Sequence, residues 1–252
     1  MFPAFKMFAV FGVLGSVASL LGVPISMLTG DIAPLYRIAM RILSLGVRSA
    51  GITVELSGLE NVPTGRPVIF MANHVSNLDP PVLLPLLPGR SSVLLKKNIT
   101  DIPVFGRALL MAQFVPVERS NSREAAQRSV AAAAQALRSG LNILVFPEGT
   151  RSPTGRLSNF KKGPFFLARE TSAPIVPIAI SGTETMMRKG SLAVHPGLAR
   201  MEILAPIDPN LHPTREDLMA AVHQSIAAAL PPEMQPLTPA RAATEQPTSE
   251  SR

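Results

Sequence analysis

Two short apolar runs, Gln113 to Val117 and Leu141 to Phe146, bracket an alanine-rich stretch from Arg123 to Ser139. A strand, a helix and a second strand in that order constrain the chain more than any other feature. Such alternation argues for an α/β layer fold, with helices covering a sheet. The helix carries its own punctuation: Asn121 and Glu124 stand in capping-box spacing before it, and Gly140 supplies the stop.

Other segments extend the pattern. Pro67 to Ala72, Ser92 to Leu95 and Ile175 to Ile180 read as buried strands, and Arg200 to Leu204 as a further one. Thr214 with Asp217 caps a last helix reaching about Leu230. The residues just past the runs are chemically distinctive. Asn73 and His74 come after the first, Lys96 and Lys97 after the second, Glu118 and Arg119 after the run at 113–117, and Glu148, Gly149 and Arg151 after the run at 141–146. Ligands of open α/β sheets collect beyond the carboxyl ends of the strands. If these strands are parallel, the motifs share one edge.

Within Asn73-His74-Val75-Ser76-Asn77-Leu78-Asp79, His74 and Asp79 lie five residues apart. A neutral imidazole can take a proton from an alcohol near neutral pH, and a carboxylate on its other nitrogen fixes the tautomer and stabilises the imidazolium. Those are the base and orienter of a triad without its serine. An isolated pair at this spacing is also compatible with an ordinary loop histidine. Glu148-Gly149-Thr150-Arg151 offers a flexible backbone amide, a hydroxyl and a guanidinium able to bind phosphate oxygens bidentately. Its bland alternative is a solvated turn holding an ion pair. Lys161 and Lys162, before Gly163-Pro164, form either a second phosphate contact at a helix start or a solvated rim.

The two motifs in this order and strand context resemble the glycerolipid acyltransferase family, nearest to its bacterial 1-acylglycerol-3-phosphate acyltransferase members. The family's NHxxxxD block is matched by Asn73, His74 and Asp79, and its FPEGTRS block by Phe146 to Ser152 without change. An acidic residue and arginine close a further block at Glu118-Arg119, where the family commonly has Asp-Arg, and Val176-Pro177-Ile178 matches the proline-bearing one. The resemblance runs from about Val54 to Pro206. It implies one α/β domain with a mixed, largely parallel sheet flanked by helices. It also implies His74 as general base with Asp79 as its partner, and Lys96, Arg119, Glu148, Gly149, Thr150 and Arg151 as substrate-binding residues.

The implied reaction moves a fatty acyl group from an acyl-CoA or acyl carrier protein thioester to the sn-2 hydroxyl of lysophosphatidate. No cofactor and no metal is expected. A lysolipid of another kind or glycerol 3-phosphate is an alternative acceptor. Two rival functions are thioester hydrolysis by His74-activated water and non-catalytic lipid binding. The chain has no G-x-S-x-G, H-E-x-x-H, Walker A or G-x-G-x-x-G pattern. Without cysteine, an acyl-cysteine intermediate and thiolate metal sites are excluded.

A hydrophobic content of 46% is high for a freely soluble protein of this size. Met7 to Leu28 carries no charge and would reach roughly 33 Å as a helix, enough to span a bilayer. Gly12, Gly15, Gly22 and Pro24 weaken it as one helix and leave a re-entrant or interfacial hairpin open. Leu35 to Gly46, with Arg37, Arg41 and then Arg48 on one stripe, suits an anionic lipid surface. Residues 1–50 are therefore expected to anchor the chain, 51–230 to form the acyltransferase domain, and 231–252, rich in Pro, Thr, Glu and Ser, a disordered tail. Arginines after the anchor place the domain on the cytoplasmic face of the inner membrane, and a cleaved signal peptide is disfavoured. The net charge of +7 would also suit nucleic acid, but one tyrosine and no tryptophan provide few stacking platforms. Membrane lipids, lysophosphatidate and the acyl donor are the expected partners.

Overall fold

The computed structural model describes residues 2–101, 105–111, 113–117, 123–188 and 190–237. In chain order the elements are α1 (Phe2–Thr29), α2 (Ala33–Ser49), β1 (Ile52–Ser57), β2 (Ile69–Ala72), α3 (Asp79–Leu83), β3 (Ser91–Lys96), α4 (Phe105–Met111), β4 (Val115–Val117), α5 (Arg123–Arg138), β5 (Asn142–Val145), α6 (Gly163–Thr171), β6 (Ile175–Ser181), α7 (Thr183–Met186), β7 (Gly197–Ile203) and α8 (Arg215–Ala229).

The strands form one seven-stranded sheet in the order β1-β7-β6-β2-β5-β3-β4. From β6 to β4 every neighbouring pair is parallel, β6 and β7 are antiparallel, and β1 is parallel to β7. The mixed, largely parallel α/β sheet is thus observed, and the five strands that precede the sequence motifs do share one carboxyl edge. The two layers of core arise from alternation along β2: Phe70 and Ala72 join one hydrophobic cluster, Ile69 and Met71 the other, all fully buried. The second cluster takes Ala133, Ala134 and Leu137 of α5 and Leu218, Val222 and Ile226 of α8, each set at helical spacing.

Strand β1 is the element that the apolar runs did not indicate. Ile52, Val54 and Leu56 alternate with Thr53, Glu55 and Ser57, so only one face is apolar, as befits an edge strand. Its Glu55 pairs with Arg200 of β7 at 3.1 Å across the ladder. In α8 the expected cap is present: the Thr214 hydroxyl accepts from the Asp217 amide at 3.1 Å, and the Asp217 carboxylate accepts from the Thr214 amide at 3.1 Å. Gly140, at φ +84°, ends α5 as expected. Asn121 lies outside the described residues.

One open alternative is decided and one expectation is corrected. The glycines and Pro24 do not break α1, which is one helix from Phe2 to Thr29. At Gly22 its packing does need a small residue, since a β-carbon there would come within 2.6 Å of the Leu35 side chain, and the facing Gly46 of α2 makes room for the Phe11 ring, whereas Gly12 and Gly15 face open space. Nor is the chain loose from Pro231. Met234 is buried, its carbonyl accepts from the Leu157 amide at 2.8 Å, and Arg156 donates to the Gln235 carbonyl at 3.1 Å. Residues 238–252 lie outside the described residues.

His223 of α8 packs edge-on against Phe160, ring centres 4.8 Å apart, and burial holds its imidazole below the usual value. The unfolded ring therefore takes a proton first as pH falls through about 6.5. Stability linked to His223 is full above that value and drains as pH drops towards the lower folded value. Replacing it with phenylalanine, His223→Phe, should flatten the loss of melting temperature between neutral and mildly acidic pH. Parallel melting curves for the two proteins would refute the linkage.

Candidate active site

Three parallel strands deliver the site. Chain leaving β2 carries Asn73 and His74, chain leaving β5 carries Phe146 to Arg151, and chain leaving β6 carries Thr183. Asn73 extends the ladder with its side chain, accepting from the Ile180 amide at 2.7 Å and donating to the Ile180 carbonyl at 2.9 Å. Those bonds fix where β2 ends, and hence where His74 begins.

The chain then turns so that the fully buried Asp79 comes back beneath His74. The two side chains meet at 2.8 Å between His74 Nδ1 and Asp79 Oδ2. The same oxygen accepts from the amides of Val75 and Ser76, both at 2.8 Å, while Oδ1 accepts from the Thr183 hydroxyl at 2.6 Å. A carboxylate only accepts, so Nδ1 is the protonated nitrogen and Nε2 is left with a lone pair. The His74 ring stacks on Phe146, centres 4.2 Å apart. Its side chain is 15% exposed, enough to meet a ligand without bathing in water.

Glu148 has a different task from the phosphate contact expected of it. It is buried, and its two oxygens accept from the His74 amide at 2.7 Å and from the Ser158 amide at 3.0 Å. An acid so enclosed does not line the cleft, and its charge would repel an anionic substrate. Burial raises its pKa, opposed by those two amide hydrogen bonds. The His74 carbonyl in turn accepts from the Ser152 amide at 2.8 Å. Glu148 and Ser152 of the second motif thus clamp the backbone of the first on both sides of His74.

Gly149 turns this loop at φ +75°, where a β-carbon would also press on Lys161 at 3.2 Å. Gly149 and Thr150 are exposed, and they line one large cleft together with His74, Arg151 and Lys161. The cleft is about 1160 Å³, and much of its remaining wall is apolar, with Phe11 of α1, Leu35 and Met40 of α2, Leu94 of β3 and Val130 of α5. Lys96 closes β3 at the same sheet edge, two strands from β2. Arg119 and Glu118 lie outside the described residues. Lys162 points elsewhere, to Glu216 at 3.5 Å.

Thr183 and the Ser158 amide complete the site without a sequence signal, since each acts through a contact distant in sequence, while Phe146 lies in the matched block but its stacking on His74 does not show there. Thr183→Val keeps the shape and removes the hydroxyl, leaving Asp79 Oδ1 without its donor. A lost hydrogen bond to a charged group predicts about 2 kcal/mol of stability and about a tenfold fall in turnover. Thr183→Ser should restore both. Unchanged turnover in the valine variant, measured beside chemical denaturation, would show that the hydroxyl does not hold Asp79.

A sequence model of the Acyltransferase family matches residues 53–181. Among curated proteins, a 1-acyl-sn-glycerol-3-phosphate acyltransferase of Cocos nucifera is 36% identical over 156 residues, covering 62% of this chain and 49% of its own. One from Limnanthes alba is 32% identical over 74% of this chain and 66% of its own, and the human alpha form is 31% identical over 62% of this chain and 56% of its own. The chain thus spans about half to two-thirds of the length of these relatives. The solved structure of the 1-acyl-sn-glycerophosphate (LPA) acyltransferase PlsC from Thermotoga maritima superposes with a TM-score of 0.77 at 25% identity, covering 90% of this chain and 92% of that one.

Proposed function

This chain belongs to the Acyltransferase family, and from that premise we propose that it transfers a fatty acyl group from an acyl-CoA or acyl carrier protein thioester to the sn-2 hydroxyl of 1-acyl-sn-glycerol 3-phosphate. The observation that carries this reading is the His74–Asp79 pair, joined at 2.8 Å and opening on a cleft with an apolar wall and cationic side chains. The names of the relatives support lysophosphatidate as acceptor.

In this reaction His74 Nε2 takes the proton of the acceptor hydroxyl as the oxygen attacks the thioester carbonyl. Asp79 stabilises the imidazolium that forms. Collapse of the tetrahedral intermediate breaks the carbon–sulfur bond, and His74 returns the proton to the leaving thiolate. The products are an ester and a free thiol. Arg151, with Lys161 and the exposed Gly149-Thr150 turn, holds the acceptor phosphate.

The acceptor reaches the cleft from lipid. Helix α1 meets the length and composition needed to cross a membrane. It packs antiparallel to α2, however, whose Arg37, Arg41 and Arg48 are exposed, and three charges in a bilayer core are costly. The hairpin therefore embeds in one leaflet, with α2 at headgroup level and the outer face of α1, including Leu20, Leu21 and Leu28, among acyl chains. Since α1 and α2 also wall the cleft, a lysolipid can slide in laterally. We place the enzyme on the cytoplasmic face, where acyl thioesters are held.

The test is product analysis with detergent-purified protein, each donor and lysophosphatidate. Acceptor-dependent phosphatidate with matching thiol release is expected. Free fatty acid without acceptor would make the protein a hydrolase, and no turnover with either donor would overturn the acceptor assignment. Arg151→Gln should raise the apparent KM for lysophosphatidate about 10- to 100-fold, the worth of one charge-assisted bidentate contact. An unchanged KM would remove Arg151 from the phosphate site.

A further inference from the structure

A smaller pocket, about 410 Å³, opens beside α2 where the chain passes from α3 into β3. It shares Tyr36, Met40 and Leu84 with the main cleft, but neither His74 nor Arg151 lines it. Three guanidinium-bearing residues do: Arg37 and Arg41, one turn apart on α2, and Arg90 just before β3. Among the described residues no carboxylate lines it.

Arg90 is held in place. Its guanidinium carbon lies 5.7 Å from the centre of the Tyr36 ring. The Tyr36 hydroxyl accepts from the Ser91 amide at 3.0 Å and donates to the Ser91 carbonyl at 3.4 Å, which ties α2 to the start of β3. Three like charges around one pocket, with no carboxylate lining it among the described residues, favour an anionic occupant.

The ligand that answers this chemistry has several anionic oxygens at guanidinium spacing, which describes a phosphate. The rest of the wall includes Met40, Leu84 and Leu87, better matched to glycerol and ester carbons than to a hydrated inorganic ion. We propose that this pocket is a second phosphate-ester site, distinct from the reaction centre, that binds the headgroup of an anionic phospholipid. Occupied so, it sets the depth and rotation of the α1–α2 hairpin and hence the alignment of the cleft with the leaflet. The embedding of that hairpin rests on the membrane reading above, whereas the pocket's preference for a phosphate ester does not.

The experiment compares wild type with Arg41→Gln, Arg90→Gln and, as an equal charge loss on α2 outside the pocket, Arg48→Gln. Full-length protein is titrated with phosphatidylcholine vesicles with and without phosphatidylglycerol, and separately with glycerol 3-phosphate in solution. Loss of about tenfold in affinity for the phosphatidylglycerol vesicles is expected in Arg41→Gln and Arg90→Gln, against about twofold in Arg48→Gln. Arg41 is exposed, so its variant keeps the test valid if Arg90→Gln folds poorly. Equal losses in all three variants would mean diffuse attraction and overturn the site. Arg90-dependent binding of glycerol 3-phosphate without Arg90-dependent vesicle binding would overturn the lipid assignment. Acyl transfer in detergent is read alongside, so that a failed site and a failed transferase assignment give different results.

Discussion

His74→Ala is expected to lower acyl transfer by about 10³-fold or more while leaving the protein folded. The first half comes from chemistry: with Nε2 gone, nothing on Asp79 can reach past the missing ring to take the hydroxyl proton. The second comes from how the site is held. The His74 backbone is fixed by its own amide on Glu148 and its own carbonyl on Ser152, and neither bond involves the ring. Asp79 also remains satisfied, because the Val75 and Ser76 amides and the Thr183 hydroxyl still reach it. The structural loss is the stack on Phe146 and one hydrogen bond at a partly exposed position. Acyl transfer from both donors, read beside a thermal melt, decides the matter. Equal rates in wild type and variant would sink the base assignment, and a collapsed melt would show that the ring is structural.

Much of this site is legible in the sequence because its signals are local to strand ends. The apolar runs that form β2 and β5 are short and bounded by breakers, so the residues leaving them fall on one edge once the intervening helices α3, α4 and α5 return the chain between parallel strands. Asp79 is legible because its spacing from His74 is short. Thr183 is not, since its contact with Asp79 spans 104 residues and depends on β6 lying beside β2. The role of Glu148 is hidden for the same reason. An acid beside a glycine and an arginine suggests a ligand contact, whereas burial and the amide of His74, 74 residues away, decide its role. The half-polar β1 makes too weak a run to stand out, although Ile52, Val54 and Leu56 do alternate. Helix α1 runs through Gly22 because α2 packs against it there, Leu35 seated on Gly22 and Phe11 on Gly46, a pairing that no local propensity contains.

Asp79 should separate folding from catalysis through two substitutions. Asp79→Ala removes the acceptor for four donors at a position with no solvent exposure: the His74 ring, the Val75 and Ser76 amides and the Thr183 hydroxyl. Each buried donor left without a partner costs about 1–3 kcal/mol, and the two amides cannot turn away. Several kcal/mol from a domain stabilised by roughly 5–15 should unfold a large part of the protein at its working temperature. Asp79→Asn keeps the shape. Its oxygen can still accept from both amides and from His74 Nδ1, and its NH₂ can face Thr183, whose hydroxyl turns to accept. The tautomer is then preserved and only the negative charge is gone. Denaturant unfolding should place the asparagine variant near wild type, yet its transfer rate should fall about 10²- to 10⁴-fold, because the imidazolium formed during attack has lost its counter-charge. A stable Asp79→Asn enzyme with full activity would mean that Asp79 only orients the ring and that the proton reaches His74 without electrostatic help.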